Sequence, residues 1–307
     1  MKTYNSSLSI SNYCKKGSVI TLGNYDGVHL GHQVIIRTLL VQAKKRKLPA
    51  FLYTFEPHPV SLLAPSIAPP LINTLEQKIE LLKNQGLTAA VFEKFNLRFS
   101  QQTPEEFFQK IIVERLRAKF IIVGYDFTFG KQRAGNIETL EFLCQNAGID
   151  ISITKPQMLG QTLVSSSLVR KYVLKGSITD ANKLLGRPFY IDGTVVKGKQ
   201  RGGLMGIHTA NLKTDNLLIP SDGVYATKGL VGKKIFKSAT NIGLNPTFGN
   251  TERTIETHIF HFNKKINGKK VRLFFVDRIR DEIKFDSPRE LAEQIQKDIA
   301  KAKRILK

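Results

Sequence analysis

The sequence is poor in cysteine and has no long hydrophobic run. Its only cysteines are Cys14 and Cys144, which form no paired motif, and this argues against a disulfide scaffold or a structural zinc site. No segment approaches the ~20 consecutive apolar residues that a membrane-spanning helix needs. The N-terminal segment through Gly17 lacks the apolar core of a signal peptide. We therefore expect a cytoplasmic protein from a reducing compartment.

Acidic residues are also scarce relative to basic ones. The chain of 307 residues has 47 Lys and Arg against 25 Asp and Glu, which gives a formal net charge of +22. A charge of this size indicates anionic partners, such as nucleotides, nucleic acid or a membrane surface, without choosing among them. The length suggests roughly two domains. The apolar content of 41% is ordinary for a globular protein.

The first half of the chain alternates strand-like and helix-like patterns. Short strands are predicted at Ser18–Leu22, Pro49–Phe55 and Phe120–Val123. Helical periodicity follows the first strand, and a capping box that begins at Thr103 predicts a helix through about Leu116. This alternation predicts an α/β domain with a parallel sheet and helices on both faces. In such sheets, ligands bind at the carboxyl ends of the strands.

The pattern changes near Gly186. Beyond it, short strand-like runs with turn glycines predict a small antiparallel β-barrel. These runs are Tyr190–Val196, Gly223–Thr227, Thr254–Phe262 and Val271–Val276. A second capping box, which begins at Ser287, predicts a C-terminal helix. We therefore predict a domain boundary near residue 185.

The stretch TLGNYDGVHLGHQVII, from Thr21 to Ile36, places glycines and two histidines between a predicted strand and a predicted helix. Backbone N–H groups at such a turn, together with the helix dipole, suit the binding of a phosphate. His29 and His32 can donate to an oxygen that gains charge during phosphoryl or nucleotidyl transfer. A plain strand–helix turn with two surface histidines is the structural alternative, because short motifs often match by chance.

The run from Thr21 to His32 resembles the signature of the HxGH nucleotidyltransferases. From about Ser18 to the C-terminal helix, the chain resembles the bacterial bifunctional riboflavin kinase/FAD synthetases. The segments that carry this resemblance are TFEPHP at 54–59, GYDFTFGK at 124–131, VSSSLVR at 164–170, LLGRP at 184–188, TAN at 209–211, NPTFG at 245–249 and RDEIKF at 280–285. Each segment is short, but their joint occurrence in the family's order is specific.

The resemblance implies two reactions that both consume ATP. Residues 185–307 would phosphorylate riboflavin to FMN in a β-barrel kinase domain. Residues 1–184 would adenylylate FMN to FAD, with release of pyrophosphate, in a Rossmann-like nucleotidyltransferase domain. The implied partners are riboflavin, FMN and ATP, with Mg²⁺ as the metal. Neither nucleic acid nor a membrane is expected as a partner despite the charge. A weak homo-oligomer is compatible with this interpretation.

For adenylyl transfer, the resemblance implies that His29 and His32 bind the ATP phosphates and stabilise the developing charge, with Arg170 as a phosphate-binding guanidinium. The other residues implied for the nucleotide are Gly23, Asn24, Tyr25, Asp26, Gly31, Ser165, Ser166 and Ser167. Those implied for the flavin are Asp126, Phe127 and Lys131. The structural alternatives are helix capping by the three serines and a simple turn at Asp126.

For the kinase, the resemblance implies that Thr209 and Asn211 hold Mg²⁺ through oxygen ligands. Glu256 matches the general base for the riboflavin 5′-hydroxyl, and strand periodicity puts it on one face with His258, Phe260 and Phe262. A basic loop over the phosphates would use Gly198, Lys199, Gly203 and Gly206, although the sequence alone favours a surface hairpin loop. Arg280 and Glu282 resemble flavin-side residues, with a helix-end ion pair as the alternative.

Four positions depart from the family pattern. His208 stands where the family has proline, which loosens the backbone that presents Thr209. Leu71 replaces an arginine after the proline-rich loop, so one basic contact is missing. Tyr25 replaces phenylalanine, and Asn136 replaces an acidic residue. None of these departures removes a proposed catalytic group.

Two other protein classes share part of the pattern. A class I aminoacyl-tRNA synthetase has a similar two-histidine turn but normally carries a Lys-Met-Ser-Lys-Ser-like loop, whereas residues 165–170 read SSSLVR. An RNA-binding module would use the barrel and the charge, and it predicts aromatic residues among the basic ones. The basic run 44–47 has no aromatic neighbour in sequence before Phe51, which favours a solvated helix end.

Overall fold

A computed structural model describes residues 1–197, 209–247 and 250–307 of the chain. The chain divides into two compact units. The first contains Met1–Pro70 and Leu75–Ser165, and the second contains Leu71–Thr74 and Ser166–Lys307. None of the helices in the described ranges combines the length and the apolar character that crossing a bilayer requires.

The first unit is built on a six-stranded parallel sheet. Its strands are β1 (Lys2–Tyr4), β2 (Ser18–Leu22), β3 (Ala50–Glu56), β4 (Ala89–Lys94), β5 (Ala118–Gly124) and β6 (Asp150–Thr154). They lie in the order β1-β4-β3-β2-β5-β6, and each neighbouring pair is parallel. β2 lies between β3 and β5 and is buried along its whole length, as expected for a strand covered on both faces. The predicted parallel sheet is confirmed. A separate small hairpin pairs β7 (Met158–Leu159) with β8 (Thr162–Leu163).

Helices of the first unit pack against both faces of this sheet. The helices of this unit are α1 (Leu30–Arg46), α2 (Pro59–Leu63), α3 (Leu75–Lys83), α4 (Leu97–Ser100), α5 (Pro104–Phe107) and α6 (Ile137–Ala147). Of these, α1, α3, α5 and α6 contribute buried residues to the two cores. Ile20 of β2 belongs to one core with Leu140 of α6. Val19 of β2 belongs to a second core with Leu39 of α1. Because successive residues of a strand point to opposite faces, β2 contributes to both cores.

The helix predicted from the Thr103 capping box begins where expected but changes its type. Thr103 Oγ1 accepts a hydrogen bond from the Glu106 N–H at 3.2 Å, and the Glu106 carboxylate accepts one from the Thr103 N–H at 3.0 Å. After α5, the chain continues as a π-helical segment, Phe108–Arg115. The Leu116 N–H then donates to the Ile111 carbonyl at 2.9 Å. Apolar periodicity predicts the extent of such a helix but does not distinguish α from π winding.

The second unit contains a closed six-stranded barrel. Its strands are β9 (Phe189–Val196), β10 (Ala210–Lys213), β11 (Gly223–Val231), β12 (Lys234–Thr247), β13 (Asn250–Ile259) and β14 (Lys270–Arg280). They follow the order β10-β13-β12-β11-β14-β9, and all neighbours are antiparallel. The predicted antiparallel barrel is confirmed, although the sequence patterns did not include β10 and β12.

Hydroxyl groups occupy part of the barrel interior. Thr227 Oγ1 lies 2.8 Å from both Ser238 Oγ and Thr240 Oγ1, and Thr240 donates to Thr257 Oγ1 at 3.0 Å. All four side chains are fully buried. Ala239, next to Thr240 in sequence, instead packs in a core that includes residues of the C-terminal helix. Residues that alternate with this hydroxyl cluster therefore point to the outside of the barrel.

Three helices complete the second unit: α7 (Ser166–Leu174), α8 (Ile178–Leu185) and α9 (Pro288–Ile305). Ser287 Oγ accepts from the Glu290 N–H at 3.2 Å, which confirms the predicted start of the C-terminal helix. Asn182 of α8 donates to the Phe275 carbonyl at 2.9 Å and accepts from the Phe189 N–H at 2.6 Å. These bonds tie α8 to β14 and β9. The functional boundary near residue 185 stays a prediction.

Candidate active sites

The turn between β2 and α1 has a strained backbone. Tyr25, Gly27 and Val28 have positive φ angles of 50°, 84° and 39°, and such angles are unfavourable for a β-branched residue such as valine. The Tyr25 hydroxyl hydrogen-bonds with Thr21 Oγ1, and the Gln33 side chain donates to the Val28 carbonyl at 3.0 Å. These contacts hold the turn in one conformation. Strain of this kind clusters at ligand-binding loops.

His29 and His32 lie together at the N-terminus of α1. His29 is the N-cap residue, and its Nδ1 accepts a hydrogen bond from the His32 N–H at 3.3 Å. Nδ1 is therefore unprotonated, and Nε2 carries the proton of the neutral imidazole. The two rings stack with their centroids 3.7 Å apart. His29 is only 6% exposed, which excludes the alternative of two surface histidines. The arrangement places an N–H donor beside backbone groups that favour an anion.

Glycines give the rings of this turn the space they occupy. A Cβ at Gly31 would lie 3.1 Å from His29 Cε1 and 3.2 Å from His29 Nδ1. A Cβ at Gly23 would lie 3.1 Å from Cε2 of Tyr25. Optimal carbon–carbon contacts are about 3.5–4.0 Å, so both positions are too close for a larger residue without movement. The two predicted glycines therefore shape the site by letting rings approach the backbone.

A buried lysine lies beside the same turn. Lys78 of α3 is 8% exposed, and its Nζ donates to Thr54 Oγ1 at 3.2 Å. Thr54 Oγ1 donates in turn to the Asn24 carbonyl at 3.2 Å. Burial lowers the pKa of Lys78 to about 8, while the carboxylates of Asp26 and Glu56 act in the opposite direction. Burial also raises the pKa of Glu56, and the Lys78 charge opposes that shift. A predicted nucleotide residue, Asp26, is thus part of a buried polar cluster.

The loop after β5 lies at the same sheet edge as the two histidines. β5 pairs in parallel with β2, so the carboxyl ends of the two strands are adjacent. Among the predicted flavin residues of this loop, Asp126 and Lys131 are exposed. Phe127 is half-buried and stacks on Phe129 with ring centroids 5.6 Å apart. The structure brings this loop to the edge that carries the histidine turn, and its contact with flavin stays a prediction.

The serine segment leads into α7. Ser165 is the last residue of the first compact unit, whereas Ser166, Ser167 and Arg170 belong to the second. α7 begins at Ser166, so the segment does stand at a helix start. Arg170 is buried, with 9% of its surface exposed. The phosphate contacts of the serines and Arg170 stay a prediction.

The barrel ladder brings predicted kinase residues into one row. Asn211 of β10 pairs with Glu256 of β13, and Glu256 pairs with Asn241 of β12. Directly paired residues in an antiparallel ladder point to the same face, with Cβ atoms about 4.5–5.5 Å apart. Because Thr240 and Thr257 point into the barrel, the Asn211–Glu256–Asn241 row lies on its outside. The row combines a carboxylate with two amides.

Thr209 directly precedes β10 and is exposed. Its hydroxyl and the Asn211 amide oxygen are hard oxygen donors two residues apart in sequence. Mg²⁺ takes few protein ligands of this type and completes its shell with phosphate oxygens and water. The two residues predicted for the metal therefore fit its chemistry.

The predicted flavin-side residues of the second unit have structural contacts. The Arg280 guanidinium forms an ion pair with Asp298 of α9, with Nη2–Oδ2 at 2.8 Å and Nε–Oδ1 at 3.1 Å. Gln294 donates to the same carboxylate at 2.9 Å. The Glu282 carboxylate lies against Gly243, where a Cβ would overlap it. The alternative for Arg280 was an ion pair at a helix end, whereas Asp298 lies in the interior of α9. The flavin contacts of Arg280 and Glu282 stay a prediction.

The strand face that carries Glu256 is shorter than expected. β13 ends at Ile259, so of the three residues expected on the Glu256 face, His258 is the one that lies within the strand. Phe260 lies just beyond the strand, contacts the His258 ring with centroids 5.5 Å apart and packs in the core with α9. The Phe262 ring contacts Phe236 with centroids 5.1 Å apart. The predicted strand Thr254–Phe262 is too long at its C-terminal end, because the apolar alternation of the sequence continues beyond the last residue of β13.

Two departures from the family pattern have structural roles, and other predicted residues lie outside the described ranges. Tyr25 places its hydroxyl on Thr21, a contact that phenylalanine lacks. Asn136 is the N-cap of α6 and its side-chain oxygen accepts a hydrogen bond from the Thr139 N–H at 2.9 Å, a role that asparagine fills well.

The predicted residues outside the described ranges are Gly198, Lys199, Gly203, Gly206 and His208.

Three residues of these sites escaped sequence reasoning. Lys78 has a usable signal, since it lies three residues after Leu75 and four before Leu82, on the apolar face of a helix. A lysine on such a face indicates a buried partner. Thr54 and Asn241 offer no comparable signal, because their roles depend on hydrogen bonding and strand register.

Comparison with known proteins covers both units. A family model described as FAD synthetase matches residues 11–168, and one described as riboflavin kinase matches residues 185–306. The bifunctional riboflavin kinase/FMN adenylyltransferase of Haemophilus influenzae is 34% identical over 95% of this chain and 96% of its own. The enzyme of the same name from Escherichia coli (strain K12) is 34% identical over 94% and 93%. The one from Bacillus subtilis is 36% identical over 92% and 90%.

A solved structure also matches along almost the whole chain. The crystal structure described as a macrolide-efflux protein from Streptococcus pneumoniae has a TM-score of 0.88 and 31% sequence identity, and the match covers 98% of both chains. The two proteins share a fold. The description of that structure indicates a function in efflux, whereas the curated relatives and both family models are described as flavin-modifying enzymes.

Proposed function

The chain belongs to the family of bifunctional riboflavin kinase/FMN adenylyltransferases, and we propose that its two reactions occur at two separate sites. It phosphorylates riboflavin to FMN with ATP, and it adenylylates FMN to FAD with release of pyrophosphate. We assign adenylyl transfer to residues 1–184 and the kinase to residues 185–307. The matched ranges of the two family models, 11–168 and 185–306, support this boundary.

In the adenylyltransferase site, an FMN phosphate oxygen attacks the α-phosphorus of ATP, and the bond to the β-phosphate oxygen breaks. Negative charge grows on the phosphate oxygens as pyrophosphate leaves. His29 donates from Nε2 to these oxygens, and His32 supports it through the ring stack and adds a second imidazole. The single observation that carries this assignment is the His29 N-cap, which fixes the tautomer and points to a donor role for Nε2.

The family resemblance assigns further residues to adenylyl transfer. Gly23, Asn24, Tyr25, Asp26 and Gly31 form the turn that receives the nucleotide. Ser165, Ser166, Ser167 and Arg170 bind its phosphates. Asp126, Phe127 and Lys131 contact the flavin from the loop after β5, which shares the sheet edge with the turn.

In the kinase site, the riboflavin 5′-hydroxyl oxygen attacks the γ-phosphorus of ATP, and ADP leaves. Glu256 accepts the hydroxyl proton as the general base. Thr209 and Asn211 would hold Mg²⁺, whose positive charge would act on the ATP phosphates. The register that pairs Asn211 with Glu256 supports a shared site for metal and base. Val224 pairs with both Asn241 and Arg280, which puts Arg280 farther along the same row and supports a flavin contact there.

The location and the metal are also proposals. We place the reactions in the cytoplasm, and two buried cysteines with free thiols support a reducing environment. Oxygen donors at Thr209 and Asn211 favour Mg²⁺ over softer metals.

The two reactions leave different by-products, which makes the proposed function easy to test. Incubation with riboflavin, Mg²⁺ and ATP should yield FMN with ADP first and then FAD with pyrophosphate. Chromatography of the flavins together with separate ADP and pyrophosphate assays follows both steps. Absence of both FMN and FAD from such a mixture would contradict the kinase assignment. Conversion of riboflavin to FMN without any FAD would contradict the adenylyltransferase assignment.

A further inference from the structure

Lys78 is a buried cation for which neither reaction above has a role. Its side chain is 8% exposed, although lysine is among the residues least often buried. Its Nζ also lies 5.9 Å from the centroid of the Phe92 ring of β4. Burying an ammonium costs free energy, so its position needs a compensating partner. Two features compensate it: a hydrogen-bond chain that runs from α3 to the histidine turn, and nearby carboxylates.

The hydrogen-bond chain has two links of equal length. Lys78 Nζ donates to Thr54 Oγ1 at 3.2 Å, and Thr54 Oγ1 donates to the Asn24 carbonyl at 3.2 Å. Thr54 is fully buried near the carboxyl end of β3. Asn24 directly precedes Tyr25, the first residue of the turn with a positive φ angle. The chain of bonds therefore anchors the strained turn at its start.

Carboxylates face the Lys78 ammonium from two elements. Asp26 comes from the turn and is 4% exposed, and Glu56 comes from the end of β3. Glu76, on the same helix as Lys78, acts electrostatically on Glu56. The Lys78 ammonium offsets negative charge of the buried Asp26 carboxylate, which lies three residues before His29 in the turn. At low effective dielectric such a charge repels an anionic ligand strongly.

We propose that Lys78 is a positioning residue for adenylyl transfer: it holds the turn through Thr54 and Asn24, and it balances the Asp26 charge so that ATP can bind beside His29. The inference rests on the proposed adenylyltransferase site in the first unit. It assigns Lys78 no contact with the reacting atoms.

Two substitutions separate the two parts of this role. Lys78→Met keeps the length of the side chain but removes the charge and the hydrogen bond. FAD formation from FMN should fall by roughly 10–10²-fold, the scale of a misplaced catalytic group, with a higher KM for ATP. Thr54→Val keeps the shape and breaks only the hydrogen-bond chain, so kcat should fall with little change in KM for ATP. Thr54→Ser restores a hydroxyl and should recover most of the rate.

The matched control is Lys83→Met, the same change at an exposed position of the same helix. It should leave FAD formation within about twofold of the parent, as surface substitutions usually do. FMN formation from riboflavin should be unchanged in all variants. Thermal melts establish that each variant is folded. Thr54→Val introduces no buried charge, so it tests the hydrogen-bond chain even if Lys78→Met does not fold.

The pH dependence of FAD formation distinguishes this role from a purely structural one, which would not change the pH profile. Burial lowers the pKa of Lys78 to about 8, so the free enzyme should lose the ammonium as pH rises through that value. The kcat/KM for ATP in FAD formation should therefore fall above about pH 8, since this ratio reports groups of the free enzyme. Lys78→Arg keeps its charge in this range and should shift the falling limb to higher pH.

The results that overturn the inference differ from those that overturn the site. Parent-like kcat and KM in folded Lys78→Met, or an unchanged alkaline limb in Lys78→Arg, would remove Lys78 from the adenylyltransferase site. Equal loss of FMN formation and FAD formation would assign it a general role in stability. His29→Ala serves as the reference in the same assay. If His29→Ala also keeps the parent rate of FAD formation, the proposed site itself is wrong.

Discussion

Gly31→Ala adds one methyl group next to the proposed catalytic imidazole. The new Cβ would lie 3.1 Å from His29 Cε1 and 3.2 Å from His29 Nδ1. To restore a carbon–carbon contact of about 3.5–4.0 Å, the ring or the helix start must move by roughly 0.5 Å. The ring cannot move without loss, because Nδ1 bonds the His32 N–H at 3.3 Å and the ring stacks on His32 at 3.7 Å.

The expected effect on rate follows from this displacement. A misplacement of about 1 Å can cost roughly 10²-fold in rate, so a shift of half that size should cost about 10-fold. The effect on stability should be smaller. Replacing glycine by alanine in a helix gains up to about 1 kcal/mol. Overpacking costs about 1–3 kcal/mol, so the free energy of unfolding should fall by about 0–3 kcal/mol.

The assay is conversion of supplied FMN to FAD, followed by chromatography, alongside conversion of riboflavin to FMN. Gly31→Ala should slow the first about 10-fold and leave the second unchanged. Gly229→Ala is the matched control, because a Cβ there would meet its neighbours at ordinary distances of 3.7–3.9 Å. It should leave both rates near those of the parent. A parent rate of FAD formation in Gly31→Ala would refute the reasoning, since it would mean that the His29 position does not limit the reaction.

Three further predictions concern the second unit. Glu256→Gln should lower FMN formation by roughly 10²–10⁴-fold with similar binding of riboflavin and ATP, because only the chemical step loses its base; a parent turnover number would exclude Glu256 as the base. Asp298→Ala leaves Arg280 without its buried partner and should lower the free energy of unfolding by about 3 kcal/mol in denaturant titrations. Glu293→Ala breaks only the exposed Arg289 ion pair on the same helix and should cost less than about 1 kcal/mol; equal losses would contradict this account of Arg280. A chain truncated after residue 184 should adenylylate FMN and fail to phosphorylate riboflavin; FMN formation by it would disprove the boundary.

The central part of the first unit could be predicted because its signals are local. β2 spans the predicted strand Ser18–Leu22. All five of its residues are buried, and such a strand can be recognised in the sequence as a short run without charged residues. The histidine turn follows directly, with a helix after it. The capping box at Thr103 and the Ser287 N-cap also set helix starts through contacts three residues apart. At the second start the Glu290 carboxylate accepts from the Asp286 N–H, so the predicted box is only half formed.

Features that depend on distant parts of the chain could not be predicted. The basic run 44–47 lies at the end of α1, where its three lysines are exposed as expected. Arg46 differs, because it packs over the Phe120 ring at 4.0 Å and pairs with Asp150 at 2.8 Å. Both partners lie on strands far away in sequence. The Lys78–Thr54–Asn24 chain likewise depends on where α3 packs against β3. In the barrel, the pairing of Asn211 with Glu256 depends on a register that periodicity does not determine.

The most direct test of the two-site account compares the parent with His29→Ala and Glu256→Gln, each given riboflavin, Mg²⁺ and ATP, and separately FMN and ATP. FMN and FAD are measured by chromatography over time. We predict that His29→Ala accumulates FMN at the parent rate while FAD formation falls by roughly 10² or more, the scale of one lost donor to a charged transition state. Glu256→Gln should scarcely form FMN yet convert supplied FMN to FAD at the parent rate. Equal loss of both activities in either folded variant would contradict the account.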